Sequence, residues 1–350
     1  MKMFIKAGLL LLLPLIFFKP FTAAAQYENA GEYMNHISTA NSILTAKYLV
    51  YLSAVSHGKS ARKVEKRRME VLKAINDTRY DIMGMGSFKG DRTLKDTTVA
   101  YLKILNSVFN EDYGKIVNME EIAEQSYDAM EAYLLAQEKA NEKLNQAAKK
   151  QHDMQKQFAD KHGVNLIEGE SELEAKMELA SKVMGHYNEV YLIFFKCHKQ
   201  EAYLLEAVNK NNINAIEQNI NSLQSCTEAG LEKLKELKGY NNDATVIVAA
   251  RNMLYFFRDE VKKSPALTDF YLKQENFLKL KKQFEAKSAS QRTQTDIDKF
   301  NNAVNDINAA GKAFNDVNNE LNKRRSKELD EWNKAVKRYM DTYMPVQQRQ

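Results

Sequence analysis

The sequence predicts an all-α protein, an elongated bundle of long, coiled-coil-like helices. Two observations carry this. Apolar residues recur at three- and four-residue spacing along nearly all of the 350 residues, and strict alternation is absent. Turn formers are scarce: 4 Pro and 13 Gly, with Pro14, Pro20 and Gly8 among the first 25 residues, too few for a sandwich or barrel of short strands. An apolar share of 44%, with 16 Phe and 17 Tyr, supplies a packed core and excludes a disordered chain.

Residues 1–25 read as a secretory signal peptide. Lys2 and Lys6 form the positive n-region, residues 9–18 the apolar h-region, and Ala23-Ala24-Ala25 the cleavage site, which makes Gln26 the new N-terminus. The apolar run is interrupted by Pro14 and ends at Lys19, whereas a spanning helix needs about 20 apolar residues. No Cys follows it to carry a lipid. Removing Lys2, Lys6 and Lys19 lowers the formal charge from +5 to +2, so the basicity gives little support for nucleic-acid binding. Residues 190–195 and 245–257 are the most apolar later stretches. Both are short and the second contains Arg251, so no transmembrane segment is expected in the mature chain.

The first helix is expected over residues 27–57, with Tyr33, Ile37, Leu44, Tyr48, Tyr51 and Val55 on one face and Gly58 ending it. The second covers 60–83 with Val64, Met69, Leu72 and Ile75. The glycine-bearing stretch 84–90 reads as an exposed, mobile loop. Thr93 with Asp96 starts a third helix using Val99, Leu102, Leu105 and Phe109, broken at Gly114. Asn118 with Glu121 starts a fourth, to His162. Its heptad seam carries one four-residue stutter, and it would be roughly 65–70 Å long.

The chain restarts at Ser171 with Glu174, and the helix to residue 208 holds Tyr187, Tyr191 and Phe194. Asn209 to Asn212 make a turn. Asn214 with Glu217 cap the return helix, which ends at Gly239. Residues 244–262 form a buried-looking helix. Ser264 as N-cap with Pro265 at the first helical position opens the next, to residue 289. Thr295 with Asp298 opens the last and longest, ending before Pro345.

The chain divides into an N-terminal half, 26–165, and a C-terminal half, 171–345. Met34-Asn35-His36-Ile37 sits 150 positions before Met184-Gly185-His186-Tyr187, and Phe88-Lys89-Gly90 matches Leu237-Lys238-Gly239. The chain is either an internal duplication or two halves that share only helical composition.

Cys197 and Cys226 are the two cysteines, equidistant from the hairpin midpoint between Asn211 and Asn212. Antiparallel helices put them at one level, and export permits a disulfide, so they are expected to be bridged. Without Cys-x-x-Cys the bridge is structural rather than redox-active. His186 with Glu189 and His198 with Glu201 reverse the Glu-x-x-His order of di-iron bundles, and the two pairs point about 120° apart round the helix, so no metal is expected. No phosphate-binding glycine loop, nucleophile elbow or Cys–His pair stands out, and among 46 acids no spacing selects a carboxylate pair. No catalytic residue and no cofactor is therefore assigned, and no enzyme activity is expected. The basic runs Arg62 to Arg68 and Lys323 to Lys327 are interleaved with acids and read as solvated helix faces; Asn76-Asp77-Thr78 is formally a glycosylation sequon.

The Lys-bearing signal ending in Ala-Ala-Ala-Gln, the tyrosine-rich first helices and the stapled hairpin resemble secreted all-helical surface proteins of Gram-negative bacteria whose activity is unassigned. The resemblance implies an exported helical protein of the periplasm or outer surface and assigns no site residues. Two functions are expected from the whole sequence. One is a non-enzymatic scaffold that binds a protein or envelope component. The alternative is a membrane-acting bundle of the pore-forming type, for which residues 245–257 would be the inserting segment.

Overall fold

Helices make up all of the regular structure in the computed structural model, which describes residues 27–56, 60–116, 123–166 and 172–345. The expected leader at 1–25, Gly58, the Asn118–Glu121 start and Ser171 lie outside these. In chain order the helices are α1 (Ala30–Ser56), α2 (Ala61–Gly84), α3 (Thr93–Ser107), α4 (Tyr127–His162), α5 (Glu172–Asn209), α6 (Ile213–Glu236), α7 (Thr245–Lys263), α8 (Pro265–Glu285) and α9 (Gln294–Tyr343).

One core is drawn from α1 to α4, with Tyr33, Ile37, Ile75, Leu94, Leu102 and Phe158 at its centre. A second is drawn from α5 to α9 and wraps the apolar α7, whose Val246, Ile247, Ala250, Met253, Leu254, Phe256 and Phe257 are all buried. Leu52 on α1 packs against both cores, and Phe195 on α5 packs with Met130 and Leu134 of α4.

The boundaries depart from expectation where side-chain caps or packing choose the end. The fourth helix begins at Tyr127, where the Ser126 side chain accepts from Ala129 N, so α4 has 36 residues and is about 54 Å long rather than 65–70 Å. Gly114 does not break the third helix. A π-turn over Val108–Asp112 widens it, and helix resumes at 113–116. In this turn Tyr113 N–H bonds Val108 O, five residues back, and the Phe109 carbonyl instead accepts from Arg68 Nη1 at 2.5 Å. Phe109 thereby stacks on Tyr113 and meets Tyr48 and Tyr51 edge-on, at centroid distances of 4.9, 5.6 and 5.8 Å.

The return helix is capped by Asn212, accepting from Ala215 N, and not by Asn214. The last is capped by a Thr293–Asp296 box and not by Thr295–Asp298. Ser264 stands at the N-cap position with Pro265 first in α8, as expected, but its hydroxyl donates back to Glu260 O rather than capping α8, so Pro265 follows α7 almost without a break.

The 84–90 stretch is exposed at Gly84, Ser87, Lys89 and Gly90, as expected, but two of its side chains anchor it to the fold. Met85 and Phe88 are buried, and Tyr33 Oη donates to Gly86 O at 3.1 Å. Phe88 and Asp91 pair across a tight turn whose central residues Lys89 and Gly90 have φ of 50° and 83°, the signs of a type I′ turn. The C-terminal half has the same device at Tyr240 and Asp243, around Asn241 and Asn242 at φ of 49° and 65°. In each, the Asp carboxylate accepts from the backbone N–H of a Thr two residues on, Thr93 or Thr245. The turn that mirrors Phe88–Asp91 thus begins one residue after the Leu237-Lys238-Gly239 match. Gly239 serves another purpose: a Cβ there would lie 2.6 Å from Asp243 O. The ends of α4 and α9 return to these turns. Lys161 and His162 meet Asp91 at 2.8 and 2.9 Å, and the Tyr240 ring packs on Tyr339 and Tyr343.

With 50 residues, α9 alone spans about 75 Å, against a radius of gyration near 20 Å for a compact domain of this length. Small-angle scattering is expected to give a maximum dimension above about 75 Å. A globular profile would show that α9 is broken in solution.

Candidate functional site

An open groove of about 860 Å³ runs along the joint outer face of α1 and α2. Its α1 wall is Glu32, His36, Ala40, Ile43 and Lys47, and its α2 wall is Glu70, Ala74, Asp77 and Asp81. Steps of three and four residues place each set on one helix face. Ala40 and Ala74 have short side chains at mid-groove, where Thr78 Oγ1 donates to Ala40 O. Ile43 is left 58% exposed.

At one end His36 Nε2 meets Asp81 Oδ2 at 2.8 Å, with the Tyr27 ring edge-on to the imidazole at 5.8 Å. Glu32 is held by the residues just before α1, accepting from Glu28 N and Asn29 Nδ2. Lys73 pairs with Asp77 within α2 at 2.6 Å. The lining carries four carboxylates (Glu32, Glu70, Asp77, Asp81) against two ammonium groups (Lys47, Lys73). An apolar spot in a mildly acidic frame suits a segment that is apolar on one side and basic at its edges.

The second concentration of chemistry lies in the C-terminal core. Arg325 of α9 bridges two buried carboxylates, Nε to Glu201 Oε1 of α5 and Nη2 to Glu260 Oε1 of α7, each at 2.5 Å. His198 Nδ1 lies 3.5 Å from the other Glu201 oxygen, with its ring stacked on Phe194 at 5.4 Å. Burial first, and the Glu201 charge second, push the Glu260 carboxyl up to about 8 despite the guanidinium beside it. The stability consequence has a definite sign. From its ordinary 4.5 up to about 8, the unfolded chain has lost this proton while the folded chain keeps it. Stability therefore falls as pH rises through that window. Urea midpoints are expected to be lower at pH 8.5 than at pH 6, with Glu260→Gln gaining on the wild type as pH rises. A Gln variant that tracks the wild type at both pH values would refute this.

The sequence-assigned residues fall out as follows. Cys197 and Cys226 form a disulfide with Cα atoms 5.6 Å apart, joining α5 to α6. The two His–Glu pairs do not converge. His186 sits between Tyr339 Oη at 3.0 Å and Lys238 O at 3.1 Å, while Glu201 belongs to Arg325. Among the described residues no cluster of His, Cys, Asp and Glu could hold a metal. Each basic run turns one arginine inward, Arg68 buried and the Arg325 side chain 12% exposed, which corrects the picture of solvated faces. Arg68 is held by Glu65 and the π-turn carbonyl, and Arg325 by the two glutamates. The sequon lies mid-helix, with Thr78 buried and Asn76 Nδ2 donating to Leu72 O. Residues 245–257 are the centre of the C-terminal core, and no helix of the described residues is long and apolar enough to cross a membrane.

Neither the groove nor the triad is singled out by spacing. The groove's sequence signal is an α1 face that mixes charge with Ala40 and the exposed Ile43. The triad's signal is Arg325 standing on the apolar seam of α9 between Leu321 and Leu329. The chain matches no protein-family model, no curated protein and no solved structure.

Proposed function

We propose that this chain is an exported, non-enzymatic helical scaffold of the periplasm or outer surface, and that it holds a basic amphipathic helix of a protein partner in the α1–α2 groove. The groove carries the reading: about 860 Å³ of open volume, the exposed Ile43, and a lining with twice as many carboxylates as ammonium groups. The export half is supported by the charged leader with its Ala-rich cleavage site and by the Cys197–Cys226 bridge, which suits an oxidising compartment.

A photo-crosslinking amino acid placed at Ile43 in the producing cell tests the binding half. One discrete adduct is expected at this position, lost on Asp77→Lys with Asp81→Lys and absent when the probe is moved to the exposed Tyr80. Adducts at both positions alike, or at neither, would overturn it. Recovery of the protein in the cytoplasm with residues 1–25 intact would overturn the export half.

A further inference from the structure

Beyond Tyr271 the α8 helix and the first part of α9 form a two-helix arm with an incomplete core. From residue 272 to 309 no side chain is buried, yet this stretch carries Phe277, Leu278, Phe284, Ile297, Phe300 and Ile307. Phe284 stacks on Phe300 at 4.4 Å and Phe277 meets Phe300 at 5.9 Å, so a seam exists, but each ring stays partly exposed even with Arg292 lying over Phe284 at 4.4 Å. Leu278 is 57% exposed and Leu272 46%.

The two legs also differ in charge. Over 272–285 the α8 leg has Lys273, Lys279, Lys281 and Lys282 against Glu275 and Glu285, a formal +2. Over 294–309 the α9 leg has Asp296, Asp298 and Asp306 against Lys299, a formal −2. Within the arm Lys287 and Asp296 form an ion pair at the tip, whereas Lys279 and Lys281 pair along their own helix with Glu275 and Glu285.

We infer that the arm is a self-association surface whose occupant is the arm of a second copy of this chain. A two-fold axis running along the arm sets each basic α8 leg against the partner's acidic α9 leg, and the two hairpins close into a four-helix bundle over the phenylalanine seam. The contact is isologous, so it closes at two copies. Each leg is roughly 21–24 Å long and two helices are about 20 Å wide, which gives roughly 1,000 Å² of buried area for the pair. That is the size of a weak, reversible interface, of about micromolar affinity.

Charge reversal tests it. The chain from Gln26 onward is measured by sedimentation velocity from about 1 to about 200 µM, a range that brackets such an affinity. Wild type is expected to pass from monomer to dimer. Lys279→Glu with Lys281→Glu and Lys282→Glu gives two acidic legs; Asp298→Lys with Asp306→Lys gives two basic ones. Each variant alone is expected to stay monomeric, because like charges then oppose, and an equimolar mixture is expected to recover the dimer. Matched circular dichroism and melting temperatures show that both variants are folded. A wild type that is monomeric throughout would leave the arm to some other occupant and overturn the proposal. Variants that dimerise alone as well as wild type, or a mixture no more associated than its parts, would overturn it equally.

Discussion

Arg325→Ala is expected to destabilise the protein by about 3–5 kcal/mol, the largest effect of any single substitution considered. Glu201 and Glu260 are each about 1% exposed and come from two helices that pack on α9. Removing the guanidinium leaves the Glu201 carboxylate buried without its cation, and the desolvation cost that Arg325 had offset reappears in full. The neighbouring Arg324 supplies a control. It pairs with Asp259 at 3.1 Å, but the two side chains are 34% and 38% exposed, so Arg324→Ala should cost under about 1 kcal/mol. The triple replacement Arg325→Met, Glu201→Leu and Glu260→Leu should recover most of the loss, because an apolar trio of similar volume needs no desolvation. Urea unfolding measures all three. An Arg325→Ala protein within about 1 kcal/mol of wild type would show that water reaches the triad.

Cys226→Ala is the second large effect, about 2–4 kcal/mol under oxidising conditions. The bridge closes a loop of 29 residues, which in the chain-entropy model restricts the unfolded state by roughly 3–4 kcal/mol. Cys226 is the better probe because it is only partly buried, whereas Cys197 is fully buried and Cys197→Ala would add a packing loss. Reduced wild type and the variant should unfold at nearly the same urea concentration. Two alkylatable thiols in unreduced, denatured material from the native compartment would contradict the bridge.

The features that could be read from the sequence are those governed by local chemistry. Helical periodicity reports directly on a face that must be buried, so every expected helix is present. The Cys197–Cys226 level followed from counting residues on either side of one turn, because rise per residue is constant. Caps were harder: Asn212 and Asn214, or Thr293 and Thr295, are chemically equivalent choices. Only the exit path of the preceding chain decides which side chain reaches a free N–H. The type I′ turn at Lys89–Gly90 was missed because Lys seldom takes positive φ. It does so here because Phe88 is buried in the core and Asp91 is held by Thr93, Lys161 and His162.

Composition and periodicity by themselves determined the all-α class, the order of the helices and the hairpin carrying the two cysteines. These depend on interactions within a turn or between neighbours in the chain. Tertiary structure alone decided which arginine of each basic run turns inward and that Glu201 and Glu260 meet across Arg325. It also decided that Ala40 and Ala74 face one another along a groove. Each of these joins residues on different helices, 34 to 124 positions apart along the chain. Periodicity gives the direction in which a side chain leaves its own helix, but not which side chain of another helix it meets.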